Sequence, residues 1–134
     1  MLYENKMKKD FREWHNQKAR IHESAKRPGF DEREVWWCAL GVNVGFEQDG
    51  GGRDFLRPVL VFKKFNKEIF WGIPLTQTKK DTLFYFRFTI SQIDAHRKEV
   101  QKIPSTAILS QIRLIDASRL SHKLGGIESA GFET

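Results

Sequence analysis

The chain has 134 residues and a formal net charge of +6, with 40% hydrophobic and 30% charged residues. This length corresponds to one domain with one modest core, and the composition is ordinary for a globular protein. No apolar run approaches the roughly 18 residues that a membrane-spanning helix needs. The N-terminus is charged and lacks the apolar segment of a secretory signal. The single cysteine, Cys38, can form neither an intrachain disulfide nor a thiolate zinc site by itself. These features predict a cytoplasmic protein that has no membrane partner.

The positive charge is concentrated near the N-terminus. Residues 1–30 hold eight Lys or Arg against four Asp or Glu, whereas residues 31–134 hold fifteen against thirteen. A basic excess favours an anionic partner, such as nucleic acid or an acidic peptide. The charge alone does not distinguish between the two.

Residues 3–26 are predicted to form an amphipathic helix that ends at Pro28-Gly29. Apolar residues recur at three- and four-residue steps, with a break at Lys18: Tyr3, Met7, Phe11, Trp14, Ile21 and Ala25. The opposite face is basic and carries Lys6, Lys9, Arg20 and Lys26. Two interpretations fit this helix. It either docks on RNA or on a partner, or it packs on the rest of the domain with its charged side chains in solvent.

The remainder of the chain has the composition of short strands. Five segments are rich in β-branched and aromatic residues: Glu34–Leu40, Arg57–Phe65, Glu68–Thr76, Leu83–Ile90 and Thr106–Ile115. Gly41–Leu56 is a polar, glycine-rich loop. Residues 91–104 fit either a helix or a continued strand, and Asp116–Leu124 is predicted as a short helix. The fold prediction is a mainly β, partly open barrel with accessory helices. The predicted domains are an N-terminal helical extension (1–29) and a barrel domain (30–134).

Four ordered motifs lie between Arg33 and Ile127. They are EVWWCALGVNVGFEQ (34–48), RPVLV (57–61), PLT (74–76) and ILSQIRLIDASRL (108–120). Each motif is weak alone, but their order and spacing make chance a poor explanation. Through these motifs the chain resembles the PemK/MazF family of type II toxins.

The resemblance implies an SH3-like barrel, a homodimer and a sequence-specific endoribonuclease that cuts single-stranded RNA. It also implies a cognate antitoxin whose acidic, apolar C-terminal tail blocks the RNA site. RNA carries its own nucleophile, the ribose 2′-hydroxyl, so catalysis needs alignment, proton transfer and charge stabilisation but no metal or other cofactor. The expected products are a 2′,3′-cyclic phosphate and a 5′-hydroxyl. The chain accordingly has no HExxH motif, no paired cysteines and no acidic cluster with ligand spacing.

Three residues are the catalytic candidates. Arg57 offers a planar, permanently charged fork to the scissile phosphate, and the resemblance implies this role for the arginine of R-P-V; the alternative is a structural ion pair. Thr76, in the motif that resembles P-x-T, offers a hydroxyl donor, although β-propensity alone explains many strand threonines. Glu47 is a candidate general base or a group that orients Arg57, unless it is merely solvated.

Contacts with RNA are predicted for five further residues: Phe46, Gln48, Phe55, Gln111 and Arg113. The phenylalanines lie in the loop beside Arg57 and suit stacking on unpaired bases. Arg113 suits phosphate contact, or a structural pair with Asp116. The strand aromatics are predicted as core or dimer-interface residues: Trp36, Trp37, Trp71, Phe84 and Phe86. The four histidines are interpreted as ordinary residues, with His122 as the one to test as a substitute base.

The sequence departs from the family pattern at three places. Ser110 stands where many members carry an acid, so the rate or the sequence preference is expected to differ. The link Asp49–Leu56 is longer than usual and is expected to shape substrate choice or act as a lid. The family's closing amphipathic helix is absent or truncated after Gly125-Gly126, and we expect the predicted helix at residues 3–26 to cover the apolar surface that it would bury.

Two other functions compete with RNA cleavage. A non-catalytic toxin of the same barrel fold could block DNA gyrase, but this would require aromatic residues on a C-terminal helix. A degenerate member could bind only RNA or an antitoxin, and Ser110 is the best argument for this alternative.

Overall fold

The computed structural model describes residues 9–24, 26–45, 47–52, 54–77, 83–93 and 99–127. Within these ranges it contains one α-helix, α1 (Phe11–Ser24). Seven strands follow: β1 (Glu34–Ala39), β2 (Leu56–Lys64), β3 (Ile69–Thr76), β4 (Tyr85–Ile93), β5 (Val100–Ile108), β6 (Arg113–Asp116) and β7 (Leu120–Gly126). Short 3-10 turns, Leu109–Gln111 and Ala117–Arg119, flank β6. The described ranges contain no helix long and apolar enough to cross a membrane.

Six of the strands form an antiparallel ring. The order is β2-β1-β7-β4-β5-β3, and a pairing between β2 and β3 closes it. On its other edge β3 pairs with β6 through its first half and with β5 through its last two residues. The mainly β barrel predicted from the sequence is confirmed, but the prediction that it is partly open is wrong, because the β2–β3 pairing closes the ring. Its shortest seam lies between β4 and β7, where one residue pair, Ser91↔Gly126, is in register.

The fifth predicted strand, Thr106–Ile115, is wrong as a single element. β5 ends at Ile108, and the chain leaves the ladder in a 3-10 turn before β6 begins at Arg113. The interruption arises because β5 and β6 pair with successive halves of the same edge of β3. For the ambiguous segment 91–104 the strand alternative holds, since β4 reaches Ile93 and β5 begins at Val100; residues 94–98 lie outside the described residues.

The helix predicted at Asp116–Leu124 is also wrong. Asp116 does cap a helical turn, because its carboxylate accepts a hydrogen bond from the Ser118 backbone N–H at 2.9 Å, but this turn ends at Arg119. Leu120–Gly126 then forms β7, which fills the position between β1 and β4 in the ring. Pairing with β1 overrides the local helical preference of this segment.

The predicted helix at the N-terminus is present from Phe11 to Ser24, and the predicted positions 3–8 and 25 lie outside the described residues. Asp10 caps it by accepting a hydrogen bond from the Glu13 N–H at 3.0 Å. Trp14 is its one buried residue. The indole stands where a Cβ on Gly41 would lie, 1.8 Å from the nearest ring atom, and Gly41 also has a φ of +72°. Glycine is therefore required at position 41 both for the turn and for docking of the helix.

The barrel has two clusters of buried side chains on opposite faces of β2, since Val59 and Val61 belong to one and Leu60 to the other. The first includes Phe30, Trp36, Cys38, Phe70 and Ile115, and the second includes Val35, Leu60, Ile73, Leu75 and Ile90. A third, smaller cluster lies under α1 and joins Trp14 to Ala39 and Phe55. Helix α1 is thus attached to the outside of the barrel mainly through the Trp14 side chain.

Candidate functional site

Arg57 lies at the start of β2, where the glycine-rich loop enters the sheet, opposite Cys38 of β1. Its Nε donates a hydrogen bond to the Asp49 carbonyl oxygen at 2.5 Å, and its Nη1 donates to the Leu75 carbonyl oxygen at 2.9 Å. Burial lowers the pKa of Arg57, while the Asp49 carboxylate acts in the opposite direction; an arginine nevertheless remains charged. Because backbone carbonyls hold the guanidinium, the alternative of a structural ion pair does not account for its position.

Thr76 lies at the end of β3, where it pairs with Thr106 of β5. The β2–β3 ladder reaches Val59↔Pro74, and the Arg57 guanidinium binds the carbonyl oxygen of Leu75, the residue before Thr76. Both side chains are partly exposed and line one open cavity of about 420 Å³. The structure thus brings together the two residues first selected from the sequence, at a surface that solvent reaches.

A second open cavity, of about 560 Å³, is bounded by the glycine-rich loop, β3 and the turn before β6. It is lined by Asn43, Glu47, Gln48, Pro74, Ser110, Gln111, Ile112 and Arg113. The Gln111 side-chain oxygen accepts a hydrogen bond from the Gln48 N–H at 3.1 Å, which connects the glycine-rich loop to the turn before β6. Four of the predicted site residues, together with Ser110, therefore meet here. Pro74 lines this cavity, and the next two residues, Leu75 and Thr76, line that of Arg57.

Glu47 is exposed, and its carboxylate accepts a hydrogen bond from the Val44 N–H at 2.9 Å. The groups that orient Arg57 are the carbonyls of Asp49 and Leu75. The hypothesis that Glu47 orients Arg57 is therefore wrong in this structure. Its carboxylate instead stabilises the turn of its own loop.

Arg113 faces the second cavity, and its side chain has no ion-pair partner among the described residues. The hypothesis that it pairs with Asp116 is wrong, because Arg27 binds both oxygens of that carboxylate at 3.0 Å. The hydrogen bond from Arg27 lowers the pKa of Asp116 to about 2. The positive charge of Arg113 remains available at the cavity.

The two phenylalanines predicted to stack on bases have different outcomes. Phe46 lies outside the described residues. Phe55 is 8% exposed and packs against Trp14 with ring centroids 5.5 Å apart. Its ring is covered by α1, so the prediction that Phe55 contacts RNA is wrong in this structure.

The remaining aromatic residues and histidines are distributed between core and surface. Trp36 is buried, whereas Trp71 and Phe84 are 44% and 62% exposed. Trp37 lines the Arg57 cavity and stacks on the exposed His122 ring at 6.0 Å between centroids. This places His122 closer to the site than the sequence indicated. His15 and His22 are exposed on α1, and His96 lies outside the described residues.

Asp49 is the residue of this site that the sequence did not reveal. Its carbonyl oxygen holds Arg57, while its carboxylate accepts a hydrogen bond from the Asn43 N–H at 2.7 Å and forms an ion pair with Lys9 at 3.0 Å. In the sequence, Asp49 only marked the start of a long loop. Its contact with Lys9 spans 40 residues, and no local sequence pattern indicates it.

Comparison with known proteins identifies one matching family. A family model described as PemK-like, MazF-like toxin of type II toxin-antitoxin system matches residues 31–134. No curated protein matches the chain.

Proposed function

Because the chain belongs to the PemK-like, MazF-like toxins of type II toxin-antitoxin systems, we propose that it is a sequence-specific endoribonuclease that cuts single-stranded RNA without a metal ion. Membership of such a system implies an antitoxin partner. We further propose that the toxin acts in the cytoplasm as a homodimer and that a cognate antitoxin neutralises it. The observation that carries the proposal is the placement of Arg57 and Thr76 in one open cavity.

The proposed reaction uses the ribose 2′-hydroxyl as nucleophile. Its oxygen forms a bond to the adjacent phosphorus while the bond from phosphorus to the 5′-oxygen breaks. A general base accepts the 2′-hydroxyl proton, and the leaving 5′-oxygen gains a proton. The products are a 2′,3′-cyclic phosphate and a 5′-hydroxyl, so atoms and charge balance without a metal or redox partner.

Arg57 is proposed to stabilise the negative charge that develops on the phosphate. Two of its five N–H groups are bound by the carbonyls of Asp49 and Leu75, which leaves three for phosphate oxygens. The two carbonyls preorganise the fork, so it need not reorient when charge develops. Partial burial of Arg57 strengthens the attraction between its guanidinium and the phosphate, because less water competes for either group. Thr76 is proposed to donate its hydroxyl to a non-bridging oxygen of the same phosphate.

The second cavity is proposed to hold the RNA next to the cleaved bond. Arg113 supplies a positive charge for a phosphate, and Gln48 and Gln111 supply amide groups for base edges. Glu47, the carboxylate that lines this cavity, is the proposed general base, and this role requires the reacting 2′-hydroxyl to come within hydrogen-bond distance of it on this side of the cleaved phosphate. The RNA would then cross the end of β3 at Pro74-Leu75-Thr76.

The test is cleavage of a long single-stranded RNA by purified full-length protein in EDTA, with analysis of the RNA ends. Wild-type protein should yield 2′,3′-cyclic phosphate and 5′-hydroxyl ends. Arg57→Ala should lower the single-turnover rate by about 100- to 1,000-fold, the usual loss when one preorganised donor is removed. Arg12→Ala, which removes an exposed charge from α1, is the matched control and should cut at the wild-type rate.

Three results would count against the proposal. Intact RNA with wild-type protein would favour the non-catalytic alternatives, either a gyrase-blocking toxin or a protein that only binds RNA or antitoxin. Cleavage that EDTA abolishes would exclude the metal-free mechanism. Equal rates for wild type and Arg57→Ala would remove Arg57 from the mechanism.

A further inference from the structure

Lys9 precedes α1 and lies outside the segment that matches the family model. Its Nζ donates hydrogen bonds to the carbonyl oxygens of Asn43 and Gly45 at 2.5 and 3.0 Å, and it contacts the two carboxylate oxygens of Asp49 at 3.2 and 3.0 Å. An ammonium group has three N–H donors, so all of them have an acceptor. With 14% of its side chain exposed, Lys9 is part of the glycine-rich loop's internal structure and not a solvated charge.

Asp49 connects this ammonium group to the proposed catalytic arginine. Its carboxylate binds Lys9 and the Asn43 N–H, while its carbonyl oxygen accepts the Nε–H of Arg57. The carboxylate of Asp49 and the guanidinium of Arg57 do not form an ion pair, and both side chains are among the described residues. Lys9 and Arg57 therefore bind different parts of one aspartate.

We propose that Lys9 is a positioning residue for Arg57, because it holds the Asp49 carboxylate away from the guanidinium. This inference rests on the proposed function, in which Arg57 needs free N–H groups for phosphate. Without Lys9, a carboxylate that is only 26% exposed would lose its cation. Arg57 is a nearby positive charge, and a guanidinium binds a carboxylate with two parallel hydrogen bonds. That pair would occupy the donors that the phosphate requires.

The proposal predicts an effect of charge that a merely structural role for Lys9 would not produce. Lys9→Met keeps the length of the side chain and removes its charge, so the single-turnover rate should fall about tenfold or more. In the double variant Lys9→Met/Asp49→Asn, the neutral amide cannot pair ionically with Arg57, and most of the rate should return. Lys18→Met, an exposed lysine of α1, is the matched control and should leave the rate unchanged.

A structural role predicts a different pattern. Both Lys9→Met and the double variant would then be slow, and their rates would follow their melting temperatures. That result would overturn the proposal. Lys9→Arg retains the charge and should retain most of the activity, which provides a folded comparison if Lys9→Met is unstable.

An NMR measurement separates this inference from the nuclease activity itself. The Arg57 Nε–H signal reports the hydrogen bond to the Asp49 carbonyl. It should shift and exchange faster with water in Lys9→Met, move back in the double variant and stay unchanged in Lys18→Met. An unchanged signal in Lys9→Met overturns the positioning role, whether or not RNA is cut. If wild-type protein leaves RNA intact while this signal shifts, the proposed function fails and the coupling of Lys9 to Arg57 stands.

Discussion

Thr76 lines the Arg57 cavity, and its side chain combines a β-branched shape that suits the end of β3 with a hydroxyl group. Substitutions can separate the two. Thr76→Val keeps the shape and removes the donor, so we expect a loss of about 100-fold in the single-turnover cleavage rate. Thr76→Ser keeps the donor and should retain most of the activity. Because Thr76 is partly exposed, both variants should change the free energy of unfolding by less than about 1 kcal/mol.

The outcome that would contradict this prediction is wild-type cleavage by Thr76→Val. The threonine would then serve the strand and not the reaction. Circular dichroism melting of the same samples shows whether any loss of rate comes from unfolding.

At the scale of single residues, the sequence pointed to site residues that stand in short motifs. It did not indicate contacts between residues that lie far apart in the chain. Arg57 and Thr76 stand in short motifs, and the structure places both residues on one cavity. Lys9 was assigned only to the basic face of a helix, because nothing local indicates that it meets Asp49 across 40 residues. Phe55 was assigned to RNA for a similar reason, since only the docked helix shows that Trp14 covers it.

Two aromatic residues of helix α1, Trp14 and Phe11, differ in burial, so substitutions at these positions can test how the helix packs on the barrel. Trp14 is 6% exposed and packs on Gly41 and Phe55, whereas Phe11 is 51% exposed. Trp14→Ala should lower the free energy of unfolding by about 3 kcal/mol, the lower end for loss of a large buried ring. Phe11→Ala should change it by less than about 0.5 kcal/mol. Urea unfolding followed by circular dichroism measures both.

Equal effects of these two substitutions would show that the helix does not dock as described. A wild-type value for Trp14→Ala would also contradict the expectation that this helix covers apolar barrel surface.

The segment after α1 is joined to the end of β6 by the ion pair of Arg27 with Asp116. The hydrogen bond from Arg27 lowers the pKa of Asp116 from 3.8 to about 2. A carboxyl group whose pKa is lower in the folded state stabilises the fold above its unfolded pKa, and this contribution is lost as the pH falls through the folded pKa. Arg27→Met should therefore be less stable than wild type at pH 7, and the difference should shrink between about pH 4 and pH 2.

Thermal melting at a series of pH values measures this difference. Lys26→Met, which removes an exposed neighbouring charge, is the control and should show no such convergence. A difference between wild type and Arg27→Met that is independent of pH would contradict the assignment to Asp116.

Among the elements, strands rich in β-branched and aromatic residues were predicted correctly from the sequence. The prediction failed for segments whose structure depends on pairing with strands that are distant in the chain. β1 to β4 lie where the composition placed them, within a few residues at each end. β7 has the sequence LSHKLGG, without a clear alternation, and it becomes a strand because β1 offers it an edge. The break between β5 and β6 has the same origin, since it follows from the division of one β3 edge between two partners.

At the scale of the whole molecule, an apolar outer patch formed by Phe65, Trp71 and Leu114 distinguishes one side of the barrel. The Phe65 and Trp71 rings meet edge to face at 5.1 Å, Leu114 is the cross-strand neighbour of Trp71, and all three are 44% to 55% exposed. We expect the proposed homodimer to bury this patch. Trp71→Ala should then weaken dimerisation by about 30-fold or more, as for an aromatic residue at the centre of an interface.

Sedimentation velocity over a range of protein concentrations measures this effect. Val100→Ala, an exposed apolar residue of β5, is the control and should leave the association constant unchanged. A dimer that withstands Trp71→Ala would place the contact elsewhere on the barrel.

The seam between β4 and β7 has one residue pair in register, whereas β4 and β5 share nine. We therefore expect the barrel to open locally between β4 and β7 while the other strand pairings persist. Native-state deuterium exchange should show the amides beside the Ser91↔Gly126 pair exchanging through this partial opening, and β2 amides only through complete unfolding. Ile90 and Leu124 face the Arg57 cavity from opposite sides of the seam. RNA bound in that cavity should contact both strands, hold them together and slow the exchange of these amides.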